Sequence, residues 1–186
     1  RWRRAAATTA GLFFFLLSLQ PAPADQAKDA RKAFGENRFD EARDAYRSLA
    51  ESKATGENAA GYRLGEGLAA YAAQDYRGAR TAYSEALLSE DPAVEARAHE
   101  GMGNTLFQLG WMGLSGSRYP DDGGIPDMEK FDELVREQLK RMADSEPPES
   151  GETNEFIRLD SIILNWTDAV RHYRSAIGKD PAEAAA

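Results

Sequence analysis

The sequence predicts an all-α fold, a short solenoid of helix-turn-helix repeats, and three observations carry that reading. One apolar offset pattern occurs three times, as Phe39, Ala42, Tyr46 and Leu49, as Tyr76, Ala79, Tyr83 and Ala86, and as Trp166, Ala169, Tyr173 and Ala176. Each set falls at i, i+3, i+7 and i+10, which is one face of an α-helix. The first two copies follow a second helical pattern that ends in a short polar turn, Glu36-Asn37-Arg38 and Gln74-Asp75. Helix formers dominate, and no strand-like alternation with hairpin turns stands out. A pattern that recurs together with its turns marks a repeat architecture.

The 186 residues have room for one domain, or one domain with an appendage. Residues 1–24 have the plan of a secretory signal peptide: the basic start Arg1-Trp2-Arg3-Arg4, an apolar run over 5–19, and small residues around a cleavage point after Ala24. The run holds 15 residues. A bilayer takes about 20, so an uncleaved membrane anchor is the alternative. Either way the expected location is exported, periplasmic or anchored facing the periplasm, if the basic end stays inside.

Residues 25–111 hold two helix pairs and the first helix of a third. The first pair runs over 25–50, a polar connector over 51–58, the second pair over 59–89, and the next helix over 93–110. The chain then leaves the repeat plan. Residues 112–165 form an acidic insertion with a turn-rich loop at 120–124 and a helix at about 127–143. Met128, Phe131, Leu134, Val135, Leu139 and Met142 make the stripe of that helix, and Asp127 is its cap. An acidic linker follows over 145–153, then a further helix over 155–164 that runs toward Trp166. Residues 166–181 supply the second helix of the third repeat, ended by Pro181, and 182–186 form a tail.

Residues 1–24 contain three arginines and no acid, so the remainder carries 20 basic against 31 acidic residues, a net −11. The insertion alone, with 13 acids and six bases, accounts for −7 of it. Such a surface excludes nucleic acid as a partner, because phosphates demand basic patches. It equally repels an anionic membrane, which leaves membrane contact only to residues 1–24 if they stay uncleaved. The chain has no Cys, hence no disulfide frame, thiolate metal site or catalytic thiol.

Motifs that carry chemistry lack the context they need. Gly65, Gly67 and Ala70 fit a dinucleotide-loop spelling but lie within a helical repeat with no preceding strand; they read as small residues for close helix packing. His99 and His172, the only histidines, have no second His or Cys at ligand spacing and read as structural or surface residues. Asp121, Asp122 and Asp127 lack the spacing and terminal Glu of a calcium loop. Asn165-Trp166-Thr167 spells a glycosylation acceptor at the start of a packed helix. The expectation is no enzyme, no cofactor and no metal. An enzymatic alternative would be a hydrolase using Asp121 with Glu129 or Glu133, which requires two acids converging in a pocket.

The repeat resembles the tetratricopeptide family, which pairs two antiparallel helices in roughly 34 residues with small residues where the helices touch. The family's small eighth position and its larger residues near the eleventh and twelfth read here as Ala30, Ala33 and Phe34, then Gly67, Ala70 and Tyr71, then Gly103, Leu106 and Phe107. The small residue of the second helix is Ala42, Ala79 and Ala169. The spacing from Ala30 to Ala42 and from Gly67 to Ala79 is 12, whereas Gly103 to Ala169 is 66, so the third repeat is split by about 54 residues. Gln26, Arg63 and His99 stand where the family usually has Trp. Over 62–110 and 166–181 the chain is also similar to exported or membrane-tethered bacterial tetratricopeptide proteins that accompany von Willebrand A-domain membrane proteins in aerotolerance-type operons.

This resemblance implies a non-enzymatic protein–protein interaction scaffold of the cell envelope, with envelope or membrane proteins as partners. The first helices of such arrays line a concave face, at positions that are here Arg31 and Phe34, then Leu64, Leu68 and Tyr71, then Glu100, Asn104, Phe107 and Gln108. Leu64, Leu68 and Tyr71 would make an apolar middle, with Arg31, Asn104 and Gln108 bonding a peptide backbone. The same residues would equally serve as packing under the insertion or the N-terminal segment. Carboxylate-clamp arrays use Lys beside such an Asn, and Ala27, Leu64 and Glu100 occupy those positions here. A role as accessory subunit of an envelope enzyme is the alternative.

Overall fold

The computed structural model describes residues 23–52, 58–120, 127–144 and 159–179. Among the described residues the chain is all-α, with seven helices: α1 (Pro23–Gly35), α2 (Phe39–Glu51), α3 (Ala59–Ala72), α4 (Tyr76–Ala86), α5 (Pro92–Ser115), α6 (Met128–Asp144) and α7 (Leu159–Lys179). From α1 to α5 each helix packs on its predecessor, α3 also lies against α5, and α7 packs along α5. Helix α6 touches α5 lightly and sets Phe131 against Trp166 of α7, with ring centroids 5.6 Å apart.

The turns explain why α2 folds back on α1 and α4 on α3. Asn37 and Gln74 adopt left-handed backbone, with φ of 60° and 64°. Arg38 N–H donates to Ala33 O and Asn37 N–H to Phe34 O; Asp75 N–H donates to Ala70 O and Gln74 N–H to Tyr71 O. This double bond pattern is the Schellman ending, which satisfies the last helical carbonyls while reversing the chain. Edge-on ring pairs close both corners, Phe34 on Phe39 at 5.4 Å and Tyr71 on Tyr76 at 5.3 Å. Aspartates open the next helices: Asp75 accepts from Gly78 N, Asp91 from Ala93 N and Asp127 from Glu129 N, each at 2.9 Å. Each cap satisfies an orphan N–H and places negative charge at a helix N-terminus.

Small and large residues alternate through the core. Ala70, Ala79, Ala86, Ala98 and Ala169 are buried beside Tyr83, which is 1% exposed. The Tyr83 ring is clamped between Gly67 of α3 and Gly101 of α5; a Cβ on Gly67 would stand 2.6 Å from it. The device recurs where Tyr173 lies on Gly103 and Trp166 on Gly110. In these contacts α5 numbers rise as α7 numbers fall, so the two helices run antiparallel. A Gly→Ala change in an exposed helix gains about 1 kcal/mol from propensity. Gly101→Ala is expected instead to lower stability by about 1–3 kcal/mol in urea unfolding, because the methyl overpacks a ring with nowhere to go. A gain in stability would show that the ring is free to shift.

Helix α5 runs on to Ser115 and ends at Gly116, whose φ is 73°. It does not stop at Gly110, the end that the sequence pattern over 93–110 predicts. Gly110 is a contact position, used for the approach of Trp166, whose indole N–H donates to Phe107 O at 3.3 Å. Helix α7 likewise begins at Leu159, so both ends of the 112–165 stretch continue the helices they join. No helix among the described residues is long and apolar enough to cross a membrane. The signal-peptide or anchor reading falls on residues 1–24, of which 1–22 lie outside the described residues, as do the acidic linker at 145–153 and the tail at 182–186.

Candidate functional site

Where α3 and α5 lie side by side, they leave an open groove of about 540 Å³ lined by Leu68, Tyr71, Tyr83, Arg97, Glu100, Gly101 and Asn104. The spacing explains the lining. Leu68 and Tyr71 are i, i+3 on α3; Arg97, Glu100, Gly101 and Asn104 are i, i+3, i+4 and i+7 on α5, so each helix turns one stripe inward. The clamped ring of Tyr83 forms the floor, within reach because Gly101 has no side chain. Leu68 stands at the lip, 46% exposed.

The groove is apolar below and polar at the rim. Tyr173 O–H donates to Asn104 Oδ1 at 2.8 Å, which leaves the two amide N–H donors of Asn104 for a ligand. Burial first, then the neighbouring Tyr71 and Glu100, push the Tyr83 phenol well above its ordinary range, and the same causes raise Tyr173 to about 12. Both phenols therefore stay neutral at physiological pH, and the charges at the mouth are Arg97 and Glu100. Neither of these forms an ion pair among the described residues.

Four of the nine expected groove residues meet here: Leu68, Tyr71, Glu100 and Asn104. The other five are placed elsewhere. Leu64 is 8% exposed and packs in the core with Met102 and Leu106. Phe107 is half-buried, its ring edge-on to Tyr119 at 5.3 Å. Gln108 is buried and used up by the same segment, its Nε2 donating to Tyr119 O at 3.1 Å and its Oε1 accepting from Tyr119 N at 2.9 Å. The segment that follows α5 thus covers the two expected groove residues nearest the end of that helix. Arg31 is exposed on α1, and Phe34 is half-buried at the first corner; neither lines this groove.

Arg97 and Tyr83 line the groove without having been singled out as groove residues. Arg97 is signalled only by its place one turn before Gly101, and Tyr83 only by its place on the apolar stripe of 76–86. The two histidines, which read as structural or surface residues with no partner at close spacing in the sequence, meet in space. His99 Nδ1 and His172 Nδ1 face each other at 2.8 Å across α5 and α7, although 73 positions separate them. Glu129 and Glu133 stand exposed on α6, and Asp121 lies outside the described residues. Among the described residues no three His, Asp or Glu side chains gather as metal ligands would. Compared with family models, curated proteins and solved structures, the chain matches none.

Proposed function

We propose that the chain is a tetratricopeptide-type scaffold, exported to the cell envelope, that holds a segment of a partner protein in the groove between α3 and α5. The carrying observation is the convergence of Leu68, Tyr71, Glu100 and Asn104 on one open groove with an apolar floor. Further support comes from the two identical helix-reversing turns and from the rings set against glycines of facing helices. In this reading an apolar side chain of the ligand lies over Leu68 and Tyr71, and a backbone carbonyl accepts from the Asn104 amide. Arg97 and Glu100 select the polar residues on either side. An apolar centre with a polar rim gives both affinity and register. The third repeat is α5 with α7, interrupted by the acidic segment, and the partners are envelope or membrane proteins.

The test is capture of partners from envelope extract by the wild-type chain and by Leu68→Glu. Leu68 is 46% exposed, so the variant is expected to unfold within about 0.5 kcal/mol of wild type. Loss of the captured protein with an unchanged unfolding midpoint is the expected outcome. Equal capture by both chains would sink the groove reading.

A further inference from the structure

We propose that His99 and His172 form a proton-sensitive clasp that fastens α7 to α5 at neutral pH and releases it on acidification. The inference stands apart from the groove and does not require it. The two Nδ1 atoms are 2.8 Å apart while the ring centroids are 5.0 Å apart. With those two distances the nitrogens point at each other and do not converge on a third atom, which is the geometry of a shared proton and not of chelation.

A bond between two such nitrogens needs one donor and one acceptor. The neutral pair meets this with one ring protonated at Nδ1 and the other at Nε2. A first added proton keeps the bond, since one ring still offers its Nδ1 lone pair. A second makes both Nδ1 atoms donors and sets two cations against each other. His99 has a side chain only 16% exposed, so water screens the repulsion poorly.

The charges of the described residues around the pair do not cancel that effect. On α5, Glu95 faces His99 Nε2 at 3.8 Å, which favours an N–H on that nitrogen. On α7, Asp168 draws a proton toward His172 but is itself paired with Arg171 at 2.7 Å. On α4, Arg80 lines the cavity that His172 and Asp168 share and adds positive charge there. Burial, followed by the charge of His99, holds His172 below its ordinary value of 6.5 in spite of Asp168. Undocked, the ring returns to about 6.5. The undocked state therefore binds more protons just below that pH, so docking is complete above it and weakens as pH falls through it. One proton taken up on release changes the docking equilibrium by up to about tenfold per pH unit.

Amide hydrogen exchange of the whole chain between pH 7.5 and 5.5, corrected for intrinsic rates, reads this directly. Protection of α7 is expected to fall by up to about tenfold per pH unit below 6.5 relative to α2, and to flatten in His99→Asn and His172→Asn. An α7 that tracks α2 throughout, or an equal fall in both variants, overturns the clasp. Should either variant fail to fold, nitrogen NMR of the two histidines in the wild-type chain decides the matter. Two separated titration steps are expected of a coupled pair, and two rings titrating together near pH 6.5 overturn it.

Discussion

Replacing Tyr83 by alanine is expected to lower stability by about 3–5 kcal/mol, measured by urea unfolding. A domain of this size has about 5–15 kcal/mol in total, so the variant stands near the edge of folding. The size of the effect follows from the ring's position. Tyr83 is 1% exposed and bridges Gly67 and Gly101, so its removal opens a void between α3, α4 and α5. The glycines have no side chains with which to fill it, and the backbones are held apart by the remaining contacts. Tyr83→Phe keeps the ring and removes only the hydroxyl, a nearly volume-conserving change expected to cost less than about 1.5 kcal/mol. Equal losses in the two variants would mean that the hydroxyl, and not the packing, holds the three helices together.

Glu66→Ala is expected to cost about 3 kcal/mol. Glu66 is 5% exposed, an unusual place for a carboxylate, and each of its oxygens is bound by a guanidinium. Arg47 Nε of α2 reaches Oε1 at 2.7 Å and Arg63 Nη1 of α3 reaches Oε2 at 2.6 Å, while Arg63 Nε continues to Glu85 of α4 at 2.6 Å. Removing one member of a buried pair typically costs about 3–5 kcal/mol, because the partner's charge is left uncompensated. The lower end applies here: Arg47 is 42% exposed and can turn to water, and Arg63 keeps Glu85. Glu66→Gln preserves shape without charge and is expected to lose about 2 kcal/mol. Urea unfolding of both variants at low and high salt checks this. Differences that vanish in high salt would mark a surface pair, screened by ions, and would contradict the burial.

What the sequence determined by itself is the local part of the architecture. The stripes at 39–49, 76–86 and 166–176 lie within α2, α4 and α7, because a 3.6-residue period, joined at α4 by the capping Asp75, acts within a few residues of itself. Tertiary structure alone decided which side chains those helices expose and which they pair. Leu64 and Leu68 stand only about 40° apart around α3, so no periodicity separates them. Their neighbours do, since Met102 and Leu106 share the core with Leu64 while Leu68 meets the open groove. Gln108 has the spacing of a ligand-binding residue, yet Tyr119, folding back from beyond the end of α5, takes both ends of its amide. His99 and His172 carry no local signal at all. They meet because Tyr173 on Gly103 and Trp166 on Gly110 set the register of α7 on α5. That register is a packing fit between helices that lie far apart along the chain, and no stretch of chain short enough to show a period contains both halves of it.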